Sequence, residues 1–89
     1  MILRVYATDW CPHCIKTIAF LKNNNIPFET INMEKKMPIE MLKKVIDVNG
    51  GHDWVVPTLE FNGQWRKGQF FNEEKLKQDL ITMGVITHL

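Results

Sequence analysis

The stretch ILRVYATDWCPHCIKTIAFL, residues 2–21, joins an apolar run to a cysteine pair and then to a helical pattern. Residues 2–6 are almost continuously apolar and β-prone, which predicts a central strand covered on both faces. Residues 13–24 have the spacing of an amphipathic helix. We expect Ile15, Ile18 and Ala19, joined by Leu21 or Phe20, to face inward, and His13, Lys16, Thr17 and Lys22 to face solvent. Both cysteines of the chain, Cys11 and Cys14, therefore lie between a strand and the start of a helix.

The segments that follow predict a second strand, a second helix and a hairpin. Residues 27–33 read as a strand parallel to the first one, because a helix connects the two. Residues 38–48 predict an amphipathic helix with Ile39 on its apolar side. The segment TLEFNGQWRK, residues 58–67, alternates around an Asn-Gly pair that is typical of a type I′ turn.

A third helix completes the predicted order, which is β-α-β-α-β-β-α. Asn72 has the side chain of a helix N-cap, and acidic residues follow it in the first turn. We expect Leu76, Leu80 and Met83 to form the buried face and Gly84 to end the helix. The chain therefore predicts a small α/β fold.

Length and charge limit the classes of function. The chain has 89 residues, 45% hydrophobic and 24% charged, which indicates one domain over residues 1–89. The net charge is +1 with the signs interspersed, so we expect no nucleic-acid partner. No apolar run approaches the ~20 residues of a membrane span, and the first residues are unlike a signal peptide. We expect a cytoplasmic monomer that does not bind membranes.

The cysteine pair fits a redox site better than a structural staple or a metal site. Two cysteines are few for a disulfide-stabilised scaffold, and the short loop between them would remove little entropy from the unfolded chain. Structural zinc generally needs four Cys or His ligands, whereas here the histidines His13, His52 and His88 are scattered. We therefore predict no metal site.

The positions of the two thiols predict different roles. Cys11 lies where unpaired backbone N–H groups and the helix dipole favour a thiolate, so we expect it to be the nucleophile. Cys14 lies nearly one turn deeper and is close enough to attack a mixed disulfide and release the product. Pro12 suits the first turn of a helix, and His13 could modulate the thiolate as a donor or a cation.

The motifs YATDWCPHC and VVPTLEFNG, together with the element order, resemble the glutaredoxins of the thioredoxin-fold superfamily. The resemblance covers almost the whole chain and implies a four-stranded mixed sheet flanked by helices. It also implies that Pro57 is a cis-proline facing the cysteines, although only about 5–6% of X-Pro bonds are cis. The backbone of Val56 would then pair with an extended substrate.

The resemblance implies a thiol-disulfide oxidoreductase that reduces protein disulfides or glutathione mixed disulfides. No bound cofactor is expected, and glutathione is a candidate electron donor. Two features depart from many glutathione-using members: Thr8 replaces a basic residue, and RKGQFFN retains Gly68 but places Phe70 and Phe71 nearby. A related branch is reduced by thioredoxin reductase, so this enzyme is an alternative donor.

The resemblance also implies candidate contacts for a substrate or for glutathione around the two cysteines. Trp10 is a candidate contact for a partner, and the side chains of Lys16, Arg66 and Lys67 could attract carboxylates. The full set of candidate binding residues is Trp10, Lys16, Val56, Pro57, Lys67, Gly68 and Gln69.

The sequence is also compatible with two other functions. The motif Cys-Pro-His-Cys also matches the bacterial periplasmic disulfide oxidase, which suggests a thiol oxidant or isomerase. That family carries a large helical insertion, which this chain lacks. Some glutaredoxins bind an iron–sulfur cluster between two chains, and a proline directly after the first cysteine argues against that function here.

Overall fold

The computed structural model describes residues 2–89 and has the predicted element order. Its strands and helices are β1 (Leu3–Ala7), α1 (Pro12–Asn23), β2 (Phe28–Asn32), α2 (Ile39–Val48), β3 (Thr58–Phe61), β4 (Gln64–Arg66) and α3 (Glu73–Thr82). Within residues 2–89, no helix combines the length and the apolar character needed to span a bilayer.

The four strands form one mixed sheet in the order β2-β1-β3-β4. β1 pairs in parallel with β2 and antiparallel with β3, so the first apolar run is a central strand as predicted. β3 and β4 form the predicted hairpin, with Asn62 at φ 50° and Gly63 at φ 83°. This topology brings the end of β1 and the start of β3 together, because Tyr6 pairs with Thr58.

The two faces of the sheet pack against two separate hydrophobic clusters. The first contains Leu3, Val5 and Leu59 of the sheet together with Leu76 and Leu80 of α3. The second contains Tyr6, Met33 and Val45, and Trp54 and Trp65 pack against it. Since side chains alternate along a strand, Val5 and Tyr6 belong to different clusters. Helices therefore cover both faces, as the predicted fold requires.

The inward face of α1 differs from the prediction. Thr17 is buried, whereas Ile15 is 56% exposed and Ala19 is exposed. The buried side chains of α1 are Cys14, Thr17, Phe20 and Leu21, a stripe that begins at the second cysteine. The predicted burial of Leu21 or Phe20 is confirmed for both residues, whereas the predictions for Ile15, Ala19 and Thr17 are wrong. Ile18 is half-buried against the first cluster.

The other helices agree more closely with the sequence. In α3, Leu76, Leu80 and Met83 are buried, and Asn72 Oδ1 accepts the N–H of Lys75 at 3.0 Å. In α2, Val45 is fully buried, but Ile39 is 60% exposed because it lies at the first position of the helix.

Candidate active site

Cys11 is the N-cap residue of α1, and the helix begins at Pro12. Its Sγ accepts the backbone N–H of Cys14 at 3.2 Å, and its carbonyl oxygen accepts the N–H of Ile15 at 3.0 Å. An N–H group directed at sulfur at the positive end of a helix stabilises a thiolate. Pro12 occupies the first turn, where its missing N–H leaves no hydrogen bond unmade. Only 5% of Cys11 is exposed.

Cys14 is fully buried beneath Cys11 and is also a free thiol. Burial raises the pKa of Cys14 from 9.0 to about 12, and its interaction with Cys11 acts in the same direction. A hydrogen bond with the backbone of Thr8 opposes this rise. Near neutral pH, Cys14 is therefore protonated.

The loop before β3 faces the cysteines. The Val56–Pro57 peptide bond is cis, as the resemblance implies, and Pro57 is fully buried. The carbonyl oxygen of Val56 lies 4.0 Å from the Sγ of Cys11. The backbone of this loop is therefore adjacent to the sulfur that a substrate would reach.

A cavity of about 360 Å³, which we call the redox groove, lies beside this loop. It is lined by His13, Val55, Val56, Gly68, Gln69 and Phe70. The structure thus brings together four of the residues predicted for the site and adds Val55, which the sequence analysis missed. Phe70 is 80% exposed and forms part of the apolar lining, whereas Phe71 packs against the first cluster.

His13 is held by the segment that follows the hairpin. Its Nδ1 accepts the backbone N–H of Phe71 at 3.0 Å, and its ring stacks on Phe70 with centroids 4.8 Å apart. An Nδ1 atom that accepts a hydrogen bond carries no proton, so this geometry describes a neutral ring. It does not support the hypothesis that a cationic His13 stabilises the Cys11 thiolate.

The predicted cations do not converge on the redox groove. Lys16 borders a different cavity together with Phe71, and Lys67 borders a third one. Arg66 is only 6% exposed, and its Nε donates to Asp79 Oδ2 at 2.6 Å. The suggestion that Arg66 attracts a ligand carboxylate is therefore wrong, because the guanidinium is buried in an internal ion pair.

Three further predicted or missed positions complete the site. Trp10, directly before Cys11, is 63% exposed and available for contact. Thr8 is buried, and its Oγ1 has no hydrogen-bond partner among residues 2–89. The sequence analysis did not single out Asn49, yet its side chain bonds both to Thr58 and to Gly68. No local sequence signal distinguishes this asparagine from others at helix ends.

The described residues 2–89 contain no cluster of three or more His, Cys, Asp or Glu side chains with the arrangement of a metal site.

Comparison with known proteins gives a consistent family. The family model described as Glutaredoxin matches residues 3–65, which include both cysteines and the cis-proline loop. Among solved structures, the chain is similar to the glutaredoxin grx-1 from Archaeoglobus fulgidus. Identity is 33%, coverage is 85% of this chain and 82% of that one, and the TM-score is 0.66.

A second solved structure, the thioredoxin-like protein BC3987, is 28% identical to this chain. The comparison covers 85% of this chain and 96% of that one, with a TM-score of 0.64. A comparison with curated proteins finds no match. Since the family model spans well over half of the residues and contains the whole cysteine motif, the chain belongs to the glutaredoxin family.

Proposed function

We propose that this protein is a dithiol thiol-disulfide oxidoreductase that reduces disulfides of proteins or mixed disulfides with glutathione. Membership of the glutaredoxin family supports thiol-disulfide exchange in general. The observation that carries the proposal is the position of the Cys11 sulfur. It accepts an N–H at the start of α1 and lies 4.0 Å from the Val56 carbonyl, with Cys14 directly beneath.

In the first step, the Cys11 thiolate attacks one sulfur of the substrate disulfide. A bond forms between Cys11 Sγ and that sulfur, while the substrate S–S bond breaks and its other sulfur leaves as a thiolate. The extended backbone beside Val56 supports a substrate chain by strand-like pairing, which demands no particular side chain.

In the second step, Cys14 attacks Cys11 and releases the second substrate thiol. Part of the high pKa of Cys14 comes from the hydrogen bond and the charge of Cys11. Both contributions disappear when the Cys11 sulfur is bonded to the substrate, so Cys14 becomes more acidic at the moment it must react. The two departing substrate thiolates take up two protons, one of them from Cys14, and the chain retains a Cys11–Cys14 disulfide.

Substitution of each cysteine tests this assignment. Cys11→Ser should abolish reduction of every disulfide, whereas Cys14→Ser should block turnover of protein disulfides and still permit removal of glutathione from a mixed disulfide. Turnover is measured as dithiothreitol-supported reduction of insulin, and deglutathionylation with a glutathionylated peptide. Full activity of the Cys11 variant would contradict the proposal.

Two electron donors are compatible with the proposal, namely glutathione and thioredoxin reductase. The redox groove presents no charged side chain in its lining, and Lys16 and Lys67 border other cavities. This arrangement favours thioredoxin reductase over glutathione. The oxidised protein is offered glutathione with glutathione reductase, or thioredoxin reductase, each with NADPH. Faster NADPH oxidation with glutathione and glutathione reductase than with thioredoxin reductase would show that glutathione is the preferred donor.

We also propose that the protein acts as a cytoplasmic monomer on disulfide-containing proteins, without a bound cofactor. The chain has only two cysteines, which is typical of a redox pair in a reducing compartment and not of a disulfide-stabilised secreted scaffold. Its positive and negative charges are interspersed. Sedimentation of the purified protein tests the monomer, and an absorbance spectrum tests for a coloured cofactor. A sedimentation coefficient that corresponds to a dimer would contradict the monomer. Absorption at visible wavelengths would contradict the absence of a bound cofactor.

A further inference from the structure

We propose that Asn49 is a positioning residue that fixes the width of the redox groove, an inference that rests on the proposed function. Asn49 directly follows α2 and lies outside the cysteine motif and the cis-proline loop. The walls of the groove are residues 55–56 and residues 68–70. The Asn49 amide contacts Gly68 in one wall and is joined through Thr58 to Val55 in the other.

The hydrogen bonds of Asn49 use both amide hydrogens and the carbonyl oxygen. Nδ2 donates to the carbonyl oxygen of Val45 at 2.8 Å and to Thr58 Oγ1 at 2.9 Å. Oδ1 accepts the backbone N–H of Gly68 at 2.8 Å. Because the Val45 carbonyl can only accept and the Gly68 N–H can only donate, these partners fix the orientation of the amide.

Thr58 extends this connection to the residue beside the cis-proline. Its hydroxyl accepts from Asn49 and donates to the carbonyl oxygen of Val55 at 2.6 Å. The hydroxyl has a single hydrogen, so the bond to Val55 and the bond from Asn49 are complementary. One side chain on α2 thereby restrains the backbone that leads into Val56 and Pro57.

The opposite wall packs directly on the same loop. A Cβ added to Gly68 would collide with the side chain of Val55, so only glycine permits Val55 to pack this closely on the backbone of residue 68. The following residues hold His13 by the Phe71 N–H and by the Phe70 ring. Asn49 therefore restrains both walls, while the N–H group that Cys11 Sγ accepts comes from Cys14 of α1.

This separation of roles predicts a specific kinetic effect. Loss of the Asn49 amide should weaken binding of a substrate chain in the groove without removing the N–H that supports the thiolate. For Asn49→Ala, we expect the KM for insulin to rise about five- to tenfold, the effect of losing roughly one hydrogen bond, with kcat changed less than about twofold. Dithiothreitol supplies the electrons, so the identity of the natural donor does not enter.

Asn24 provides a matched control on α1. It also follows a helix, and its Nδ2 donates to the carbonyl oxygen of Phe20 at 2.9 Å, four residues earlier, as Asn49 does to Val45. Asn24→Ala therefore removes the same helix-end hydrogen bond far from the loop of residues 55–58. We expect it to leave the KM for insulin unchanged.

Two further variants keep the test decisive if Asn49→Ala does not fold. Asn49→Asp retains an acceptor for the Gly68 N–H but loses the donor to Thr58, and Thr58→Val removes only the hydroxyl. Both should raise the KM for insulin, and in a double variant Thr58→Val should add little to Asn49→Asp because the two act through one contact. The KM for bis(2-hydroxyethyl) disulfide, which has no chain to pair with the loop, should not change.

The proposal is overturned if the Asn49 variants keep the wild-type KM for insulin, or if Asn24→Ala raises it equally. It is also overturned if both disulfides lose affinity to the same extent or if kcat alone falls. Failure of the proposed function gives a different result, since the wild-type protein itself would then not reduce insulin.

Discussion

Cys11 and Cys14 are close neighbours whose sulfur atoms have opposite surroundings. The sulfur of Cys11 accepts an N–H at the start of α1, whereas Cys14 is fully enclosed and its pKa is raised to about 12. The sequence predicted this difference in position, because Cys11 lies at the helix start and Cys14 lies nearly one turn deeper. It did not predict that His13 would be a neutral acceptor, since its donor is the N–H of Phe71, 58 residues later.

The pKa of Cys14 makes a prediction about alkaline stability. In the unfolded chain this thiol ionises near its ordinary pKa of 9.0, whereas in the folded protein it keeps its proton to about 12. The resulting stabilisation is complete below pH 9 and is lost as the pH rises towards 12. The free energy of unfolding of the reduced protein should fall through this interval by at most about 1.4 kcal/mol per pH unit.

Cys14→Ala is the comparison for this measurement. The variant should be less stable at pH 8, because it leaves a small cavity, but its urea midpoint should decline less between pH 9 and pH 11. Parallel declines of the two proteins would show that the Cys14 thiol does not hold its proton as described.

At the scale of elements, α3 is fastened to the sheet by an ion pair with little exposure to solvent. Arg66 of β4 donates to Asp79 at 2.6 Å, and Lys75 also contacts Asp79, at 2.8 Å. Burial alone would raise the pKa of Asp79, but the hydrogen bonds from Arg66 and Lys75 outweigh it and lower the pKa below 3.8. Arg66 and Asp79 both follow residue 65, at which the match to the family model ends.

Asp79→Asn should destabilise the protein by about 3 kcal/mol at pH 7, because Arg66 would remain buried without its counter-charge. The exposed pair of Glu74 and Lys77 supplies the control, and Glu74→Gln should change the free energy of unfolding by less than about 0.5 kcal/mol. Urea denaturation measures both effects.

The pH dependence of the same comparison gives an independent check. A carboxylate with a lowered pKa contributes stability above its ordinary pKa of 3.8 and loses it as the pH falls through the folded value. The difference between the wild type and Asp79→Asn should therefore shrink below about pH 4. A difference that stays constant down to pH 2 would contradict the ion pair.

At the scale of the molecule, strands β1 and β2 contribute side chains to both hydrophobic clusters, and Val56 packs against both. Neither cluster can separate without disrupting these two paired strands. We therefore predict a single cooperative unfolding transition, as in most small domains.

The tryptophans make this prediction measurable, because Trp54 and Trp65 pack against the second cluster, whereas α3 packs on the first. Tryptophan fluorescence and helical circular dichroism should give the same urea midpoint. Two separated midpoints would indicate that the clusters unfold independently and that the chain is not one cooperative unit.

What the sequence could and could not predict follows from the range of each interaction. The element order, the Asn-Gly hairpin and the α3 face depend on neighbouring residues, and all were confirmed. The predicted face of α1 was partly wrong, because the buried stripe includes Thr17, a polar residue that hydrophobicity alone does not assign to the core. The contacts of Arg66 and Asn49 join residues 13 and 19 positions apart, and no local pattern specifies them.

Because only 5% of Cys11 is open to solvent, access to its sulfur acts as a filter on disulfides. On the function proposed above, we expect a disulfide on a protruding or flexible chain to react faster than one held flat within a rigid partner. Comparing the reduction rates of one disulfide in a folded protein and in its unfolded form would measure this preference.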